Sequence, residues 1–137
     1  MSAWQHPWLD VSAAPLLRQH FPREASDADL ISFITATETY MAAHPAPFAW
    51  VSDVSHLVHA TAYQRKLFAE FEKRTAAHDR VHCLGAAIVL NNPVTRAILS
   101  AVYWAAPPVY PYKIFARAEE AEDWAREKLA GHQGTKP

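Results

Sequence analysis

Asp53, Ser55 and His56 lie within four consecutive positions and carry the carboxylate, hydroxyl and imidazole of a hydrolytic triad. A nucleophile of that kind needs a base in hydrogen-bond reach and an oxyanion hole. Neighbours along one chain rarely point together, and the glycines of a nucleophile elbow are missing, since Gly85, Gly131 and Gly134 are the only three in the chain. Asp53 and Ser55 read instead as side chains that cap the loop behind a buried strand. The same scarcity of glycine excludes the GxGxxG, Walker A and GxSxG signatures. Eight histidines raise the question of a metal. His56 with His59, and His78 with His82, have spacings that chelate on a helix. The first pair falls in a loop and the second is split between a helix end and a strand, so neither is expected to gather three or four converging donors. No metal and no cofactor is expected. Asn91, Asn92 and Arg96 open a helix, where free N–H groups and the positive dipole end suit an anion. They also read as a cap and a solvated surface residue. Cys83 sits in apolar surroundings with nothing to lower its pKa, and reads as inert core.

The elements that must position these groups follow from the apolar pattern. Leu9 to Val11 and Pro15 to Phe21 read as a hairpin. Ser26, with Asp27 and Asp29 behind it, caps a helix in which Leu30, Ile34, Thr37 and Met41 repeat at helical spacing. Pro47 to Asp53 is a buried strand. Residues 60–78 form a second helix, with Tyr63, Leu67, Phe71 and Arg74 on one stripe. Arg80 to Leu90 is the most apolar stretch and reads as a central strand covered on both faces, ended by Asn91, the cap Asn92 and Pro93. A third helix runs to about Ala106, where Pro107 and Pro108 stop it. Tyr112 to Phe115 is a last strand. Ala118 to about Ala130 is a last helix, with Ala121, Trp124, Ala125 and Leu129 inward, and residues 131–137 read as a flexible tail.

Alternating strands and helices predict an α/β fold with a mostly parallel sheet of four to five strands, an N-terminal hairpin and four helices. One domain spans 1–137, with its core at about 8–130. Trp50, Val81, Cys83, Ala87, Val89 and Phe115 are expected to be mostly buried. Ligands on such sheets bind beyond the carboxyl ends of the strands. That places any regulatory chemistry on a rim formed by Asp53, Ser55, Thr61, Tyr63, Asn91, Asn92 and Arg96.

Three segments resemble the STAS domain, in its SpoIIAA-like (STAS/SEC14-like) branch: GAAIVLNNPVTRAIL at 85–99, IFARAEEAEDWAREKL at 114–129 and WVSDVSHL at 50–57. The resemblance covers residues 8 to 130. It implies a non-enzymatic regulatory module that, like the anti-sigma factor antagonists, binds another protein and is switched by phosphorylation of a serine at the start of the second helix. The family writes that segment Asp-Ser-Ser-Gly, whereas here it reads Ala60-Thr61-Ala62-Tyr63. The switch serine is not retained, and Thr61 and Tyr63 are the nearby hydroxyls. Replacement of Thr61 by Glu is expected to disturb folding very little. The SEC14 side of the resemblance implies instead a module for small apolar ligands or lipids, marked by an apolar cavity above roughly 300 Å³. An enzyme at the strand-end rim is the third reading.

Composition narrows the partners. Lys and Arg total 13 against 14 Asp and Glu, with a pI near 6.7, so no polycationic surface is available for nucleic acid. No apolar run approaches the roughly 18 residues of a membrane span, and no signal-peptide pattern opens the chain. One cysteine rules out an intramolecular disulfide and, with those absences, fits a cytoplasmic protein. The third helix carries Val94, Ile98, Ala101 and Ala105 on one stripe, and Leu99, Val102 and Tyr103 widen it beyond one buried face. With Trp104, Tyr110 and Tyr112 around a proline-stiffened turn, Leu99 and Tyr103 form an expected association patch for a partner protein or a homodimer. Alternatively, Trp4 and Trp8 cover that helix and Trp104 belongs to the core.

Overall fold

The computed structural model describes residues 4–134. Its sheet is mixed and five-stranded, in the order β1 (Leu9–Asp10), β2 (Leu16–His20), β3 (Phe48–Asp53), β4 (Cys83–Val89) and β5 (Tyr112–Phe115). β1 and β2 form the antiparallel hairpin, with Leu9 opposite Gln19, and the remaining pairs are parallel. The helices are α1 (Asp27–Ala43), α2 (Ala62–His82), α3 (Pro93–Ala105) and α4 (Ala118–Gly134).

Each crossover from β2 to β5 moves one strand in the same direction, so right-handed connections must lay α1, α2 and α3 on one face of the sheet. Side-chain packing agrees. Leu30, Phe33 and Ile34 of α1, Phe71 of α2, and Leu99 and Tyr103 of α3 join Ile88 and Leu90 in one apolar cluster. Helix α4 follows the last strand and covers the other face, where Ala121 and Ala125 pack on Leu16, Ala49, Val51, Ala87 and Val89. These small residues let the helix approach closely. A Cβ added at Gly85 would stand 2.9 Å from Trp124 Cη2 and 3.3 Å from the carbonyl oxygen of Pro111. Arg18, on the same face of β2, grips Glu122 of α4 through two bonds, Nε to Oε2 at 2.6 Å and Nη2 to Oε1 at 2.8 Å, the two-pronged geometry in which a guanidinium binds a carboxylate best.

The caps fall where their side-chain chemistry puts them. Ser26 accepts from the backbone of Asp29 and Asn92 from that of Thr95, with Pro93 as the first residue of α3. Thr61 and Gln64 form a reciprocal capping box at the start of α2.

Five expectations are corrected. Helix α2 runs on to His82, so Val81 is helical and 72% exposed instead of lying in a buried strand. Of its expected stripe, Phe71 is buried and Leu67 packs on the core, but Tyr63 is 52% exposed and Arg74 reaches out to Glu38, and Gln64, Ala69, Thr75 and Asp79 are buried instead. In α3 the inward residues are Thr95 and Val102, with Leu99 and Tyr103 partly buried, and Val94, Ala101 and Ala105 face outward. Residues 131–134, expected in a tail, continue α4, and 135–137 lie outside the described residues. Trp50, Cys83, Ala87 and Val89 are buried as expected, and Phe115 is partly buried against the α4 cluster. Trp4 and Trp8 pack against α1, beside Tyr40 and Phe33, and not over α3.

Candidate functional site

The strand-end rim is a stitched seam. Asp53 Oδ1 accepts from the backbone N–H of Ser55 at 2.9 Å and from its hydroxyl at 2.6 Å. Asn92 Nδ2 donates to the Ser55 carbonyl, and its Oδ1 caps Thr95. The Thr95 hydroxyl donates to the Leu57 carbonyl at 2.6 Å. Thr61 accepts from the backbone of Gln64, whose amide donates to the Ala25 carbonyl and to Asp27. The structure therefore joins Asp53, Ser55 and Asn92 in one hydrogen-bonded chain and commits Thr61 to a cap. Tyr63, Asn91 and Arg96 are exposed beside them. His56 is exposed too, and the Ser55 hydroxyl donates to Asp53, so the three triad residue types make no nucleophile–base pair.

The expected association patch is divided between inside and outside. Tyr110 is 9% exposed and Tyr103 is partly buried, so both rings turn into the molecule. Leu99 is partly buried against the main core. Trp104 is 89% exposed and Tyr112 45%. The Tyr112 ring packs edge-on against Tyr103, with ring centroids 5.0 Å apart.

Where Tyr103 and Tyr110 turn in, they reach a cavity of about 100 Å³ between the sheet and the three-helix layer. Its floor is Trp50 and Ser52 of β3, Ala86 and Ile88 of β4, and Gln19 of β2, whose amide donates to the Ser52 hydroxyl at 2.6 Å. Phe68, Phe71, Glu72 and Asp79 of α2 form one wall, and Ile98, Leu99, Val102 and Tyr103 of α3 the other. Gln64 and Arg65, whose guanidinium donates to the Ala60 carbonyl, stand at the first turn of α2. The volume falls short of the roughly 300 Å³ of a full-sized ligand site. It is about two thirds of the roughly 150 Å³ of an engineered cavity that admits benzene.

Polar groups are concentrated along α2. The Tyr110 hydroxyl donates to Glu72 Oε2 at 3.1 Å, with Tyr103 beside it. Burial pushes the Glu72 carboxyl up to about 7, against a smaller opposing pull from the Tyr110 hydrogen bond. Desolvation likewise raises Tyr103, Tyr110 and the Cys83 thiol. Cys83 is buried, as its expected core role requires. Asp79 is 4% exposed. Its Oδ2 lies 3.4 Å from the Thr75 hydroxyl, while Oδ1 takes no hydrogen bond and stands 3.5 Å from His78 Nδ1. Its carboxyl is raised by burial, with His78 pulling the other way. His78 and His82 both belong to α2, with ring centroids 4.7 Å apart, correcting the expected split between helix and strand. Among the described residues, no three His, Cys, Asp or Glu side chains converge on a point that could hold a metal.

The fold and cavity define an α/β domain, singly wound, with a small interior pocket lined by apolar side chains and a file of buried acceptors. Comparison with known proteins found no family model, no curated protein and no solved structure that matches the chain. No helix among the described residues is long and apolar enough to cross a membrane.

The sequence reading missed this pocket because its polar lining residues Glu72 and Asp79, with the buried Thr75 between them, break the apolar stripe used to choose the inward face of α2. A signal was present: these three recur at intervals of three and four residues, in step with Phe68 and Phe71, which puts them on one helix face.

Proposed function

We propose that this protein is a small-ligand binding module whose ligand enters the cavity between the sheet and helices α2 and α3. The observation that carries the reading is the cavity itself, enclosed between apolar walls with the buried carboxylate of Asp79 among its lining residues, its Oδ1 without a hydrogen bond and facing only His78 Nδ1 at 3.5 Å. Buried polar atoms are normally hydrogen-bonded, so an unused one lining a cavity marks a place for a partner. The modest volume favours a molecule with a few heavy atoms, smaller than the ligands that the mark of roughly 300 Å³ for a SEC14-like module requires.

The test is a titration with n-butanol, followed by NMR of the methyl groups of Ile88, Leu99 and Val102. Saturable shifts at these three methyls support the reading. Shifts that stay linear, or that spread over the surface around Trp104, overturn it.

A second reading, a STAS-like protein-interaction module, rests on one observation. Trp104, 89% exposed, shares the outer face of α3 with Val94, 52% exposed. Self-association through this face is tested by sedimentation, and Trp104→Ser must shift any dimer to monomer. An enzyme at the rim gains no support, because Ser55 is held by Asp53.

A further inference from the structure

Resting on the reading of the outer face of α3 as an association surface, we propose that its occupant is a second copy of this chain. The two α3 helices lie antiparallel, so that Trp104 of each copy covers Val94 of the other. Along the outer face Val94, Ala97, Ala101 and Trp104 are all exposed. Their spacings of three, four and three residues put them on one stripe of the helix and read the same from either end. A two-fold axis crossing the helix at the level of Leu99 therefore sets Val94 opposite Trp104 and Ala97 opposite Ala101. It also sets Pro93 opposite Ala105, both exposed.

The chemistry of the stripe matches that symmetry. Large groups stand at its ends and methyl groups in its middle. Two helices can then close to the usual 8–10 Å or so between axes at the alanines, while each indole reaches past them onto the partner's valine. A parallel pairing would stack Trp104 on Trp104 and leave a gap between the two Val94 side chains. Arg96, the only charged residue among the 13 of α3, lies off the stripe, so closing the contact buries no charge. A two-fold contact requires this end-to-end symmetry, because one patch must serve both sides. The area fits a reversible contact. A tryptophan ring offers on the order of 200 Å². With the rest of the stripe the sum is roughly 500 Å² per partner, about 1,000 Å² in all, the size of weak associations.

The experiment combines sedimentation of the full chain, from about 10 μM to about 1 mM, the span in which weak specific contacts form, with through-space NMR at the highest concentration. The expected result is a mass that rises toward twofold, with cross-peaks between the Val94 methyls and the Trp104 indole. These groups are about 15 Å apart along one helix, so such a cross-peak must pass between copies. Ala101→Glu, at an exposed position, should hold the chain monomeric at every concentration with native far-UV circular dichroism. If a dimer forms and is lost in Trp104→Ser, yet gives no Val94–Trp104 cross-peak, the antiparallel register is wrong while association through this face stands. If the chain stays monomeric at the top concentration, or the dimer survives both substitutions, the register and the association surface fall together. The cross-peak is read on the unsubstituted protein and decides even where a variant fails to fold.

Discussion

The Tyr110 hydroxyl donates to Glu72 Oε2 at 3.1 Å and so ties the proline-rich loop after α3 to the middle of α2. That bond is the polar clasp of the cavity. Because it stabilises the ionised carboxyl, Tyr110→Phe should raise the Glu72 pKa above its value of about 7. A carboxyl ¹³C titration of labelled Glu72 reads this directly, and a pKa that falls would contradict the clasp.

The raised Glu72 pKa also sets how stability depends on pH. The folded state holds this proton more tightly than the unfolded chain, so the contribution is fully present below the ordinary carboxyl value of 4.5 and is lost as pH rises to about 7. At about 1.4 kcal/mol per unit, the loss reaches roughly 3 kcal/mol. Asp79, also raised, acts in the same direction. Denaturant melts from pH 4.5 upward should therefore weaken, and Glu72→Gln should flatten the slope.

Tyr110→Ala and Trp104→Ala separate core from surface. Removing the buried ring of Tyr110 should cost about 3–5 kcal/mol, in the range for large core aromatics. Removing the exposed Trp104 should change stability by no more than about 0.5 kcal/mol. Equal effects in urea unfolding would contradict the inward turn of the loop.

Gly85→Ala tests the approach of α4. The new methyl would stand 2.9 Å from the Trp124 ring and 3.3 Å from a backbone oxygen that cannot swing away. A loss of about 1–3 kcal/mol is expected for such overpacking, with a shift in Trp124 fluorescence. An unchanged melting curve would mean that α4 sits further off.

At the rim, Thr61→Ala should cost about 1 kcal/mol, the usual value of an N-cap. Thr61→Glu loses the same cap. The sequence-based expectation of little disturbance therefore does not fit a residue whose hydroxyl already accepts from Gln64 at 3.0 Å. Thermal melts of both variants give the comparison.

Elements with strong local signals were legible in the sequence. Ser26 and Asn92 announced their helices through cap chemistry, and the unbroken apolar run Ala86 to Leu90 announced a strand buried on both faces. The rim residues Asp53, Ser55 and Asn92 meet because parallel strands must end together. The end of α2 was not legible, because Val81 next to an apolar strand carries no stop signal and only exposure distinguishes it. Nor was the inward turn of Tyr110, since Pro107 and Pro108 fix a stiff loop without fixing which way its rings point. The cavity depended on both.

The single-helix face has a consequence for how the chain matures. Strands β2 to β5 and their three helices precede α4 in the chain, so a growing polypeptide can assemble the sheet with one side clad and the other bare. That bare side presents Leu16, Ala49, Val51, Gly85, Ala87 and Val89, an apolar surface open to other chains until α4 covers it. Docking of α4, guided by Glu122 finding Arg18, is the closing event, and the chain itself times it.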